Sequence, residues 1–155
     1  RVYKPGRIGI MTRSGSLTNE VTSMVVSSGF GVSTLVGIGG DPVPGTRFVE
    51  MLPMYEADED TDAVVIIGEL GGTMEEEVAE AINSRIFTKP LVAFLGGVTA
   101  PPGKKMGHAG AISTGGKGTV KGKIEALRSA GAYIAERPRL VGTCLQEIVQ
   151  EKQKK

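Results

Sequence analysis

Asp62-Ala63-Val64-Val65-Ile66-Ile67-Gly68-Glu69-Leu70-Gly71-Gly72-Thr73, running on through Met74 to Asn83, is the stretch that decides how this chain folds. Its five successive apolar residues, Ala63 to Ile67, are rich in Val and Ile, too few for a helix, and lack the alternation of a strand with one wet face. They read as a strand buried on both sides, the signature of a parallel sheet covered by helices. A glycine-rich turn and the amphipathic run Met74 to Asn83 complete one βα unit.

The same unit repeats in both directions. Arg7 to Met11 precedes Leu17 to Ser27, and Gly31 to Ile38 precedes Thr46 to Glu56, a helical run interrupted by Pro53, which kinks it or opens a new turn. Downstream come Pro90 to Leu95, a long loop through His108, a helix from Val120 to Ser129, a strand from Ala132 to Ala135 and a last helix from Leu140 to Lys152. The expected fold is therefore α/β, a flavodoxin-like three-layer domain with a five-stranded, mostly parallel sheet, spanning residues 1–155 as a single domain. In such sheets ligands gather beyond the carboxyl ends of the strands.

Bulk properties narrow the function. With 18 Lys plus Arg against 17 Asp plus Glu, the net charge of +1 gives no basic footprint for nucleic acid. The longest apolar runs are far short of the ~20 residues that a membrane helix needs, so neither nucleic acid nor membrane is expected as a partner. The single Cys144 cannot form an internal disulfide. These features predict a soluble chain of the cytoplasm, or of the mitochondrial matrix if the source is eukaryotic. Arg1 in place of an initiating Met suggests a piece excised from something larger.

Several segments bear on chemistry. Thr12-Arg13-Ser14-Gly15-Ser16-Leu17-Thr18-Asn19-Glu20 leads from the first strand into a helix, with Ser16 as the expected cap and Ser14 and Gly15 shaping the approach. It is either an ordinary capped helix or a seat for phosphate or carboxylate on free amides. Arg13 adds charge there or faces solvent. Gly37-Ile38-Gly39-Gly40-Asp41-Pro42 fails the dinucleotide fingerprint because Pro42 stands at the third glycine position, leaving a loop that lets a backbone or ligand approach. Gly115-Gly116-Lys117-Gly118-Thr119 lacks the spacing of a phosphate loop and reads as a flexible link to a helix capped near Thr119. Glu56 to Asp60 reads as a solvated turn, Glu75 to Glu77 as a helix first turn matched to the dipole, and the Lys-rich tail as frayed.

Two residues stand out. Glu69 ends a central strand between glycines, where it can orient an imidazole or simply face water. His108, the only histidine, lies in a segment from Gly96 to Gly118 that holds eight glycines and two prolines. One His and one Cys, 36 positions apart, give no metal site, and no G-x-S-x-G elbow marks a hydrolase. Two readings stay open: a covalent phosphoryl acceptor with an acidic partner, or an exposed loop residue.

Five strings in register carry a resemblance: Ser14-Gly15-Ser16-Leu17-Thr18, Gly37-Ile38-Gly39-Gly40-Asp41-Pro42, Gly68-Glu69-Leu70-Gly71-Gly72, Thr99-Ala100-Pro101-Pro102-Gly103 and Gly107-His108-Ala109-Gly110-Ala111-Ile112. Together they resemble the carboxyl-terminal CoA-ligase domain of succinyl-CoA synthetase alpha subunits, over nearly the whole chain. The resemblance implies an acid-thiol ligase of the tricarboxylic acid cycle, ADP- or GDP-forming, in which His108 takes a phosphoryl group from an acyl phosphate and passes it to a nucleoside diphosphate. It further implies that Glu69 orients His108 and that Ser14, Gly15 and Ser16 begin the helix that holds phosphate. Coenzyme A and Mg-nucleotide would bind mainly outside this chain, on an upstream CoA-binding Rossmann domain and on an ATP-grasp beta subunit, leaving the isolated domain inactive. The alternatives within the resemblance are ATP-citrate lyase and citryl-CoA synthetase, whose corresponding domain shares the glycine-flanked histidine, and malate-CoA ligase; Val2-Tyr3-Lys4-Pro5-Gly6 leans toward the citrate enzymes and the Ala-Pro-Pro-Gly loop leans back toward succinyl-CoA synthetase. Outside this family, the alternatives are a flavodoxin-like binding or docking module and a receiver-like domain. A receiver needs acidic residues where Thr12-Arg13-Ser14 stand.

Overall fold

The computed structural model describes residues 2–97, 107–111 and 118–153. Five strands alternate with five helices in the order β1 (Pro5–Thr12), α1 (Gly15–Ser27), β2 (Val32–Gly37), α2 (Phe48–Ala57), β3 (Ala63–Glu69), α3 (Met74–Asn83), β4 (Leu91–Gly96), α4 (Val120–Ser129), β5 (Tyr133–Ile134) and α5 (Val141–Gln153). The strands form one sheet in the order β2-β1-β3-β4-β5. Every pairing in it is parallel, so the expected mostly parallel sheet is wholly so.

Alternation along β3 divides the core. Val64 and Ile66 pack with Phe48, Leu52, Val78 and Leu127 beneath α2, α3 and α4. Ala63, Val65 and Ile67 pack with Val21, Val25, Val141 and Leu145 beneath α1 and α5. All seven residues of β3 are buried, as a central strand covered on both faces requires.

Local chemistry sets the element ends. Ser14, not Ser16, is the N-cap of α1: its Oγ accepts the Leu17 amide at 3.4 Å, which corrects the expected cap by two residues. The α2 start falls after Arg47 because the Glu50 carboxylate reaches back to the Arg47 amide at 2.7 Å. Pro53 lies inside α2 on its exposed side and does not end the helix. Thr119 caps α4 as expected, accepting the Gly122 amide at 3.2 Å. Before α5, Pro138–Leu140 form a 3-10 turn, since Pro at the first position lacks the donor that turn leaves unused. The fifth strand is two residues shorter than expected at its ends.

The order 2-1-3-4-5 reverses direction between β1 and β3, so the crevice at this switch point opens beyond Thr12 and Glu69. Among the described residues no helix is long and apolar enough to cross a membrane. The Thr99-to-Gly103 string, Ile112 and the Gly115-to-Lys117 part of the link before α4 lie outside the described residues.

Candidate functional site

At the carboxyl edge of the sheet, Glu69 is the last residue of β3 and is 8% exposed. Its Oε2 lies 2.7 Å from Nδ1 of His108. An ionised carboxylate only accepts hydrogen bonds, so this contact makes Nδ1 the donor, and in a neutral ring that arrangement leaves the lone pair on Nε2. The His108 side chain is 38% exposed, enough to meet a reactant while its other nitrogen is held.

Glycines admit this contact. A Cβ on Gly40 would come within 2.1 Å of His108 Nδ1 and 2.6 Å of Glu69 Oε1, so no side chain fits there. The Gly40 carbonyl accepts the Gly110 amide at 3.0 Å, and the His108 carbonyl accepts the Ala111 amide at 3.2 Å, with Ala111 fully buried. The glycine loop after β2 thus pins the histidine loop, as its sequence suggested for a close backbone approach.

Arg13 does not face solvent. Its side chain is 2% exposed, and Nη2 lies 3.2 Å from Glu69 Oε1 in an ion pair outside hydrogen-bonding geometry. Nη1 donates to Glu75 Oε1 and to the Gly71 carbonyl, both at 3.0 Å. Glu75, read in the sequence only as a helix-dipole residue, is fully buried and accepts the Glu69 amide at 3.1 Å. Its other oxygen pairs with the buried ammonium of Lys123, which also donates to the Gly72 carbonyl at 3.1 Å and Glu76 Oε2 at 3.0 Å. One signal in the sequence points to both buried charges. Lys123 falls three after Val120 and four before Leu127, and Glu75 falls three before Val78, each on a core-facing helical stripe.

Ser14, Gly15 and Ser16 stand at the same edge, following Arg13 directly. Ser14 is half-buried and Gly15 and Ser16 are exposed. The first amides of a helix have no partner within it, which leaves this end able to take an anion. A cleft of about 360 Å³ opens nearby, lined by Arg13, Asp41, Arg47, Thr73, Ala109 and Gly110.

Other titratable groups serve the frame. Burial alone would push the Glu77 carboxyl up, but hydrogen bonds from Arg47 and Thr73 outweigh it and hold it below the usual carboxylate range. Burial, with Glu147 close by, pushes the Cys144 thiol up, so it is a poor nucleophile. Burial also pushes Tyr55 up to about 12, while its hydroxyl donates to the Ile10 carbonyl at 3.0 Å. Among the described residues no group of three or more His, Cys, Asp or Glu fits a metal ion.

The family model for CoA-ligases matches residues 11–133, most of the chain, and spans every site residue just described. The chain belongs to the CoA-ligase family. It is 70% identical over 149 residues to a subunit of the ADP-forming sulfoacetate-CoA ligase of Bilophila wadsworthia, covering 96% of this chain and 51% of that one. It is 51% identical over 150 residues to the ADP-forming succinate-CoA ligase alpha subunit of Staphylococcus aureus, covering 97% of this chain and 49% of that one. Among solved structures, ATP citrate lyase of Methanosaeta concilii in complex with (3S)-citryl-CoA matches with a TM-score of 0.88 at 31% identity, over 96% of this chain and 24% of that one. The chain thus spans about half the length of the curated relatives it matches. The succinyl-CoA synthetase resemblance holds at the level of this CoA-ligase family, and the sulfoacetate relative is the more similar of the two compared.

Proposed function

We propose that this chain is the phosphohistidine-carrying domain of an ADP-forming acyl-CoA ligase, with His108 as phosphoryl acceptor. The observation that carries the reading is the 2.7 Å contact of Glu69 Oε2 with His108 Nδ1, which leaves Nε2 as the nucleophile. In the ligase direction, the Nε2 lone pair attacks the terminal phosphorus of a nucleoside triphosphate. The N–P bond forms, the P–O bond breaks, and the diphosphate leaves with the electron pair. The ring, still protonated on Nδ1, is then a cation beside the Glu69 carboxylate. The carboxylate of the acid substrate next attacks that phosphorus, the N–P electrons return to the ring, and an acyl phosphate results. The thiolate of coenzyme A displaces phosphate from it to give the thioester.

The amino end of α1, at Ser14, Gly15 and Ser16, supplies amides and the positive end of a dipole for the phosphoryl group near His108. Coenzyme A and the magnesium nucleotide are substrates assigned to parts outside this chain, an upstream CoA-binding Rossmann domain and an ATP-grasp beta subunit.

For the acid, we take sulfoacetate first and succinate second, on the identities of 70% and 51% to their respective ligases. The test supplies the full-length subunit and its ATP-grasp partner with ATP, coenzyme A and each of sulfoacetate, succinate and citrate. Continuous ADP release, beyond the one equivalent formed as His108 is phosphorylated, that needs both coenzyme A and one of these acids and falls to background in His108→Asn supports the reading. Turnover unchanged in that variant sinks it.

A further inference from the structure

We infer that Arg13, held in place by the buried Glu75 and Lys123, is a positioning residue that fixes the Glu69 carboxylate so that Oε2 meets His108 Nδ1. The inference deepens the reading above and rests on Nε2 being the reacting atom.

Five charges alternate away from the imidazole: Glu69, Arg13, Glu75, Lys123 and Glu76, with successive partners in ion-pair contact. Arg13, Glu75 and Lys123 are all but inaccessible, at 2%, 0% and 0%. Burying such charges is costly, and apolar residues of similar size commonly fill the same space without loss of stability. The array therefore needs a task that apolar packing cannot do, and orienting one carboxylate is such a task.

The geometry specifies how. A planar guanidinium presents donors in a rigid fork. Arg13 cannot itself swing, because Nη1 donates to Glu75 Oε1 and the Gly71 carbonyl, while Nη2 attracts Glu69 Oε1 at 3.2 Å by charge without hydrogen-bond geometry, which opposes rotation of the Glu69 carboxylate. Glu75 adds a second hold by accepting the Glu69 amide at 3.1 Å. Gly68 leaves room for this, since a Cβ there would lie 2.5 Å from Glu75 Oε1. When Nε2 is phosphorylated the ring becomes a cation, and the alternation then runs unbroken from His108 to the part-exposed Glu76.

His108 being the sole histidine of these 155 residues, labelling the imidazole nitrogens of this chain gives one ring whose proton position reads directly by NMR. The unaltered chain is expected to hold its neutral-ring proton on Nδ1. Removing both charges together in Arg13→Gln/Glu75→Gln leaves neither of these two buried ions without the other and leaves Lys123 paired with Glu76, and it is expected to lower the ratio of Nδ1-protonated to Nε2-protonated ring about tenfold. Arg13→Lys keeps the charge but serves one carboxylate at a time, and is expected to lower the ratio by a smaller factor. It carries the test if the double variant fails to fold. An unchanged ratio in a folded Arg13 variant overturns the inference. Glu69→Ala separates the two ideas: if it lowers the ratio and the Arg13 variants do not, Glu69 keeps its role and Arg13 loses its own. If Glu69→Ala also leaves the ratio unchanged, the Glu69 reading falls and the inference with it.

Discussion

Gly40 shows how little space the His108–Glu69 contact tolerates. A methyl group there would sit inside the van der Waals radius of the imidazole, so Gly40→Ala is expected to push His108 off Glu69 while leaving the sheet intact. In metal sites, losing the carboxylate that orients a histidine costs about 10–100-fold, and a loss of that order is expected for this orienting contact. In the proposed ligase, acyl-CoA formation should drop by that order in Gly40→Ala with an unaltered circular-dichroism spectrum, and full activity would refute the crowding argument. His108 and Glu69 were legible in the sequence because each stands among glycines at a place where α/β folds bind ligands. Arg13, Glu75 and Lys123 were not, since a charged residue type normally signals solvent and only helical spacing betrayed the latter two. Where Ser14 and Ser16 both offered a hydroxyl, the cap went to the one whose Oγ reaches an amide three residues on.

Among the elements, α2 carries a local conflict. Pro53 removes one backbone donor within the helix, and its exposed position shows no packing gain in return. An interior proline costs about 3 kcal/mol relative to alanine, offset in part by the stiffer unfolded chain. Pro53→Ala is thus expected to raise stability by about 1–3 kcal/mol in denaturant unfolding; a loss would contradict the view that the proline is a net cost to α2. The neighbouring contact of Arg47 with Glu77 ties the start of α2 to α3. Because the Glu77 carboxyl is held below its ordinary value of 4.5, its contribution to stability is fully present above that pH and disappears as pH falls through the folded-state value. Glu77→Gln should therefore lower the melting temperature at neutral pH and make no difference in strong acid. A gap that persists unchanged into acid would show that ionisation of Glu77 is not the cause. Element types were legible from the buried Val/Ile runs and amphipathic periods, whereas their ends depended on Glu50 and Pro138 making particular caps and turns.

Across the whole molecule, the strand order 2-1-3-4-5 is what joins residues far apart in the chain. Arg13 follows β1, Glu69 ends β3, Gly40 follows β2, and His108 follows β4, yet all meet at one edge. The class of fold followed from the repeated βα units, but the meeting of these four segments required the three-dimensional order of the strands. The acid substrate stayed hidden, because small carboxylates are distinguished by pocket shape rather than by any motif in one chain. The division of labour proposed here makes His108 a shuttle between sites that other parts supply. Its most direct test is the phosphoryl occupancy of His108 in the working assembly, given magnesium and a nucleoside triphosphate radiolabelled in its terminal phosphate. The expected result is a base-stable, acid-labile phosphate on Nε2, discharged by adding the acid and coenzyme A and absent from His108→Asn; steady turnover with no phosphate passing through His108 would contradict it.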